Sequence, residues 1–102
     1  MRIEVVGRNL EVTPAIREHA TGKAEKLSKY YDGIQLITIR VSREDHQNRG
    51  EFGVELVIDV EKHDDFVTHA KGEDLYTVID AAIQKGSRQL TEFKAQLKNS
   101  KR

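Results

Sequence analysis

Hydrophobic and polar residues alternate along four stretches of the chain, which predicts four β-strands. These cover residues 2–6, about 34–44, 51–60 and 66–71, with Gly7 ending the first and a polar loop over 45–50. The third is the clearest, because five apolar residues from Phe52 to Val60 alternate with residues that are mostly acidic. In the fourth we expect Phe66, Thr68 and Ala70 to face inward, since that choice buries the phenylalanine.

Two other stretches carry apolar residues at steps of three and four, which predicts amphipathic helices. The first begins at Thr13-Pro14, because threonine caps a helix and proline is tolerated at the first helical position. It ends at Asp32-Gly33. The second begins near Asp74, and Gly86 in its apolar stripe indicates close packing against the sheet or the first helix. That stripe comprises Leu75, Val78, Ile79, Ala82, Ile83, Gly86, Leu90, Phe93 and Leu97.

The predicted order of elements is therefore β-α-β-β-β-α. Strand three pairs an apolar face with an acidic one, so one sheet face is buried and the other faces water. Both helices must then cover the single apolar face. We predict an α/β two-layer sandwich with a four-stranded sheet, residues 1–98 forming one domain and residues 99–102 a frayed C-terminal tail.

Length and composition narrow the class of protein. The 102 residues suffice for one hydrophobic core. There is no cysteine, which excludes disulfides and thiolate metal sites. No apolar run approaches the roughly 18 to 20 residues of a membrane span, and the N-terminus resembles a strand and not a signal peptide. We therefore expect a cytoplasmic protein with no membrane partner.

Charge is distributed unevenly, although the formal net charge is zero. From Lys85 onward six basic residues face one acid, Glu92, whereas residues 40–74 carry ten acids and five bases. Separated charges give a neutral protein one face that attracts polyanions. This asymmetry indicates an oriented contact with nucleic acid.

Helical spacing places many of these bases on shared flanks. One flank of the first helix carries His19, Lys23, Lys26 and Lys29. In the second helix Lys85 and Arg88 share one flank, and the other carries Lys94, Lys98 and Lys101. Two helices side by side would merge these flanks into a basic patch. Lysines near a helix C-terminus also interact favourably with the helix dipole, and they are common there for that reason alone. Charge by itself therefore leaves two interpretations open, nucleic-acid binding and an ordinary solvated surface.

Several segments are similar to a known family, and together they span the whole chain. Thr13–Arg17, Lys23–Leu27 followed by Tyr30–Asp32, and above all Asp74–Asp80 with Lys85–Leu90 resemble the ribosome hibernation promoting factor family. That family includes the ribosome-associated translation inhibitor and was once described as a sigma-54 modulation protein. The chain is similar to its short form, because it has no counterpart of the long form's C-terminal domain. Whether it promotes or opposes ribosome pairing stays open.

The resemblance implies a stress and stationary-phase factor that binds the small ribosomal subunit, alone or within the 70S ribosome. In that family the helical side contacts 16S rRNA in the channel that mRNA and tRNA use. Residues 1–98 would then be a ribosome-binding domain, monomeric off the ribosome, with no cofactor and no small-molecule substrate. The RNA-binding candidates are Lys23, Lys26, Lys29, Lys85, Arg88, Lys94 and Lys98, with Tyr76 as the residue for base stacking; Lys29 rests only on its place in the patch.

Catalysis and metal binding find no support in the sequence. The four histidines lack ligand spacing, no serine has a nucleophile context, and no glycine-rich loop precedes a helix. We interpret Asp74 as a helix cap or a first-turn acid, and Asp80 as a residue that orients a neighbouring base. We therefore predict a protein that is not an enzyme. Two alternatives stay open: a protein–protein regulatory module that uses the acidic sheet face or the edge strand 66–71, and a general double-stranded RNA binder.

Overall fold

The computed structural model describes residues 1–46 and 49–100, with the side chains of 45, 46, 49, 99 and 100 outside the description. Its strands are β1 (Arg2–Arg8), β2 (Ile34–His46), β3 (Arg49–Val60) and β4 (Phe66–Gly72). Its helices are α1 (Pro14–Glu25), a 3₁₀ helix (Lys26–Lys29) and α2 (Leu75–Ser100). The order β-α-β-β-β-α and the four-stranded sheet confirm the predicted fold.

The sheet has the strand order β1-β2-β3-β4, in which β1 and β2 are parallel and the other pairs are antiparallel. The first connection is therefore a crossover through α1, as parallel neighbours require. Since β4 runs in the same direction as β1, both α1 and α2 run back along the sheet, parallel to each other. Their C-terminal ends consequently lie at the same end of the molecule.

The core lies between the helices and one face of the sheet. In β2 and β3 the alternate apolar residues that face the helices are buried. They are Ile37, Ile39 and Val41 in β2, and Val54, Leu56, Ile58 and Val60 in β3. In β4, Thr68 and Ala70 are buried and Phe66 packs against the core, which confirms the inward face predicted for this strand. Thr68 satisfies its buried hydroxyl by donating to the carbonyl of Ala82 in α2, at 2.9 Å.

Local chemistry sets the start of each helix. Thr13 accepts a hydrogen bond from the Ile16 amide at 3.2 Å and Pro14 is the first residue of α1. Asp74 accepts from the Tyr76 amide at 3.2 Å and from the Thr77 hydroxyl at 2.8 Å, so it caps α2 as predicted. Both start signals were readable from the sequence because a cap involves only residues two or three positions apart.

Several predicted boundaries were wrong. The first helix changes to 3₁₀ geometry after Glu25, a common way for a helix to tighten at its end. The strand pairing of β2 with β3 continues to His46 and Arg49, so most of the expected polar loop belongs to a long hairpin. Strand β1 also continues past Gly7, paired with β2 as far as Arg8. Backbone hydrogen bonds between neighbouring strands extend these strands through residues whose polar side chains are typical of loops.

The apolar stripe of α2 is buried less far than its periodicity indicates. Phe93 is half-buried and Leu97 is 37% exposed, because α2 extends past the sheet at its C-terminal end. The helix continues to Ser100, and Lys101 and Arg102 lie outside the described residues. The frayed tail over 99–102 therefore stays a prediction.

Candidate nucleic-acid interface

A side-chain pair joins the two parallel helices near the start of α2. The His19 ring nitrogen Nε2 lies 2.7 Å from Asp80 Oδ1. The Tyr76 ring meets the His19 ring edge-on, with centroids 5.0 Å apart. Asp80 thus contacts a side chain of α1, and the pair shows which flank of each helix faces the seam between them.

Lys23 follows His19 by four residues, so it lies on the same flank of α1 and is half-buried beside the seam. Lys26, in the 3₁₀ helix, is exposed. Both amines extend from the side of the molecule that the helices cover. The line of bases predicted for the first helix therefore survives the change to 3₁₀ geometry.

A shallow groove of about 300 Å³ separates the 3₁₀ helix from the C-terminal half of α2. Lys29 and Tyr30 line one wall, and Thr91, Lys94 and Lys98 are on the other. Three lysines therefore line one concave surface, although 65 positions separate Lys29 from Lys94 in the sequence. Because both helices end here, the C-terminal ends of their dipoles also favour cations at this place.

The structure separates Lys85 from this groove. Its Nζ donates to the carbonyl oxygen of His69 at 2.6 Å, so the side chain covers the edge of β4 on the far flank of α2. Lysine at an edge strand discourages pairing with another chain. Arg88, three residues later, is exposed on the outer side of the helix. The seven basic candidates are thus a row along the seam and the groove, plus Lys85 and Arg88 beyond it.

Most of these cations have no partner in the part of the chain that the structure describes. Among residues 1–46 and 49–100, neither a hydrogen bond nor an ion pair engages Lys23, Lys26, Lys29, Arg88, Lys94 or Lys98. Their amines and guanidinium are therefore available to an external anion. Tyr76 is 39% exposed, so much of its surface is open despite the contact with His19.

The opposite face of the sheet differs in its electrostatics. Two of its acids are paired: Glu55 lies 2.5 Å from Arg40 and 3.9 Å from His69, and Glu44 lies 3.4 Å from Lys71. The strand register places these groups in cross-strand rows, where opposite charges stabilise a sheet. The face expected from the sequence to be acidic is thus partly neutralised by its own bases.

Two contributors to the helical side were not among the RNA-binding candidates chosen from the sequence. Tyr30 lines the groove, and His19 links the helices through Asp80. The local signals for them were an aromatic ring that could stack on a base and a place on the basic flank. Within the described residues no group of histidine, aspartate and glutamate side chains is arranged to hold a metal ion. Across that same part of the chain, no helix is long and apolar enough to cross a membrane.

Comparison with known proteins agrees with this architecture. The crystal structure of the Thermus thermophilus Protein Y N-terminal domain has a TM-score of 0.78, with 29% identity, over 91% of this chain and 99% of the other. A ribosomal subunit interface protein from Coxiella burnetii has a TM-score of 0.80 over 93% and 99%, and at 23% identity it shows the fold alone. The structure therefore defines a two-layer domain of the ribosomal interface protein fold.

Sequence comparison gives the family. Residues 3–98 match the model described as Sigma 54 modulation protein / S30EA ribosomal protein, and the chain belongs to that family. The ribosome hibernation promoting factor of Escherichia coli K12 is 33% identical over 100 residues, covering 96% of this chain and 98% of the relative. The resemblance identified from the sequence is confirmed.

Proposed function

We propose that this chain is a ribosome hibernation factor that silences translation by occupying the mRNA and tRNA channel of the small ribosomal subunit. The observation that carries the proposal is the row of unpaired cations along the seam and the groove. On the opposite sheet face Arg40 and Lys71 are paired with acids, so that face attracts a polyanion less than the helical side does. Its family and its relatives named ribosome hibernation promoting factor support the same role.

Binding of this kind depends on where the cationic side chains lie and on their charge, and it involves no covalent chemistry. Lysine ammonium groups meet phosphates as point charges, while Arg88 has the planar geometry for a bidentate contact or for stacking on a base. Tyr76 offers a ring to an unstacked base. The protein recognises the shape and backbone of 16S rRNA, and its bulk excludes mRNA and tRNA. It acts in the cytoplasm during stress or stationary phase, on 30S subunits and 70S ribosomes, as a monomer when unbound.

Co-sedimentation with purified 30S subunits tests the surface directly. The test variant carries Lys29→Glu, Lys94→Glu and Lys98→Glu, which reverse the groove. The matched control carries Arg2→Glu, Arg8→Glu and Lys71→Glu on the outer sheet face, with the same change in net charge. We expect the groove variant to bind at least about tenfold more weakly than the control at moderate salt.

Folding of both variants is checked by circular dichroism and thermal unfolding. Equal weakening in the two variants would mean that net charge, and not the groove, drives binding. Undiminished pelleting of the groove variant would remove this surface as the contact. Either result would turn attention to a protein partner of the subunit.

Competition separates channel occupancy from general affinity for RNA. Added mRNA and tRNA should release the factor from 30S subunits, because they need the same space. A double-stranded RNA of equal length should compete far less well per nucleotide. Equal competition by that duplex would instead indicate the general RNA binder.

A further inference from the structure

A second concave site lies on the far flank of α2, away from the groove. It is a pocket of about 230 Å³ lined by His63, Phe66, Gln89, Glu92, Phe93 and Gln96, which we call the aromatic pocket. Helical spacing puts Gln89, Glu92 and Gln96 on the side of α2 that faces β4, roughly opposite Lys94 and Lys98. The aromatic pocket is therefore separate from the cations of the groove, whereas Lys85 and Arg88 lie one turn before Gln89 and Glu92 on the pocket's own flank of α2.

One wall of the pocket consists of three rings. His63 is stacked on Phe66, with centroids 4.9 Å apart and 14° between the planes. The Phe93 ring contacts both of them: its centroid lies 4.5 Å from that of His63 and 5.2 Å from that of Phe66. His63 comes from the turn before β4 and is exposed, while Phe66 and Phe93 are half-buried, so part of this aromatic cluster is open to solvent.

The other wall offers hydrogen-bond acceptors. Gln89 Oε1 is buried and no donor in the described part of the chain reaches it. A buried acceptor without a donor is costly and rare in folded proteins. The last torsion of glutamine is broad, so Oε1 can turn toward an incoming donor without moving the backbone. The carboxylate of Glu92, exposed on the next turn, adds a negative charge beside it.

Aromatic faces, an unused amide oxygen and a carboxylate together suit a cation that donates several hydrogen bonds. A guanidinium is planar, stacks on rings and donates in a fork. The turn that carries His63 also carries the exposed acids Asp64 and Asp65 and one exposed base, Lys62. We propose that the aromatic pocket binds an arginine side chain of a basic polypeptide, while the opposite flank of α2 is free to contact RNA.

Nuclear magnetic resonance of the isotope-labelled full chain tests the site. The probe is N-acetyl-arginine methylamide, and the matched control ligand is N-acetyl-citrulline methylamide, which keeps the shape but is uncharged. We expect saturable shifts for the Gln89 side-chain amide and for the rings of His63, Phe66 and Phe93. The citrulline compound should bind much more weakly.

Substitutions at Glu92 and Gln89 test whether these two side chains accept the hydrogen bonds of the arginine. Glu92→Gln should weaken arginine binding about two- to fivefold, the range for a solvent-exposed charge pair. Glu25→Gln, an equivalent exposed acid on α1, should leave it unchanged. Gln89→Leu should also weaken binding, yet it should not lower the unfolding midpoint, because the native Oε1 makes no hydrogen bond that would be lost.

Three outcomes would overturn the proposal. Equal shifts with citrulline would show that charge has no role. Stronger and localised shifts with adenosine monophosphate would assign the pocket to a nucleobase. Arginine shifts spread over exposed acids throughout the protein would indicate unspecific ion pairing. None of these results bears on 30S binding through the groove, so this proposal fails independently of the proposed function.

Discussion

The two helical glycines, Gly22 and Gly86, have opposite surroundings. A Cβ added at Gly22 would meet nothing within 4 Å, whereas at Gly86 it would lie 2.7 Å from Leu56 Cδ2 and 3.0 Å from Ile58 Cδ1. Gly86 therefore lets α2 approach β3 closely. The sequence indicated this close packing but left open whether the sheet or the first helix was the neighbour, and the structure shows that it is the sheet.

Substituting alanine at these two glycines should change stability in opposite directions. Gly22→Ala gains helix propensity and should raise the free energy of unfolding by up to about 1 kcal/mol. Gly86→Ala gains the same propensity, but overpacking a fully buried contact costs about 1 to 3 kcal/mol, so a net loss of about 1 kcal/mol is expected. Urea denaturation of both variants measures the difference. Equal stabilisation by the two alanines would show that α2 can move away from the sheet at no cost.

At the scale of elements, the relation between α1 and α2 determines the candidate site. The helices share the apolar face of the sheet, and the pair His19–Asp80 joins them from positions 61 residues apart. The alignment of the helices sets Lys29 across from Lys94 and Lys98. Hydrophobic periodicity predicted the two helices and their basic flanks, but a periodic pattern contains no information about how far one helix slides along another.

A double-mutant cycle of His19→Ala and Asp80→Ala measures this link between the helices. Because Asp80 is 45% exposed, solvent screens the pair and we expect a coupling of about 0.5 to 1 kcal/mol in the free energy of unfolding. The pair Glu18→Ala and Gln84→Ala, two exposed residues on the same helices, serves as the control and should be additive. Additivity at His19 and Asp80 as well would mean that core packing alone aligns the helices.

The whole molecule is electrically asymmetric despite its zero formal net charge. Unpaired cations concentrate on the helical side, and cross-strand pairs occupy the sheet's outer face. The sequence predicted the basic segment from Lys85 onward and the acidic stretch over 40–74. It did not predict that the acids of that stretch meet Arg40 and Lys71, since cross-strand pairing depends on register.

Salt dependence reports this asymmetry in binding. If the helical side neutralises roughly five to seven phosphates, the logarithm of the 30S association constant should fall against the logarithm of salt concentration with a slope of about −4 to −6. The triple groove variant should lose about 2 to 3 units of that slope. A shallow slope for the unmodified protein would instead favour a protein partner on the subunit.

The sequence by itself determined the order of elements, the inward face of each strand, the two helix starts and the family. These depend on residues a few positions apart, through side-chain alternation, helical periodicity and capping, or on motifs that the chain carries directly. The candidate basic residues also came from sequence, because their flank follows from helical spacing.

The tertiary structure determined which residues distant in sequence contact each other. It turned Lys85 to the carbonyl of His69 and brought Tyr30 into the groove. It also placed Gln89 in one pocket with three rings, its oxygen reached by no donor in the described part of the chain. It also lengthened the β2–β3 hairpin through residues that are polar in sequence. Such contacts join residues distant along the chain, and they depend on the packing of α2 on the sheet, which no local pattern specifies.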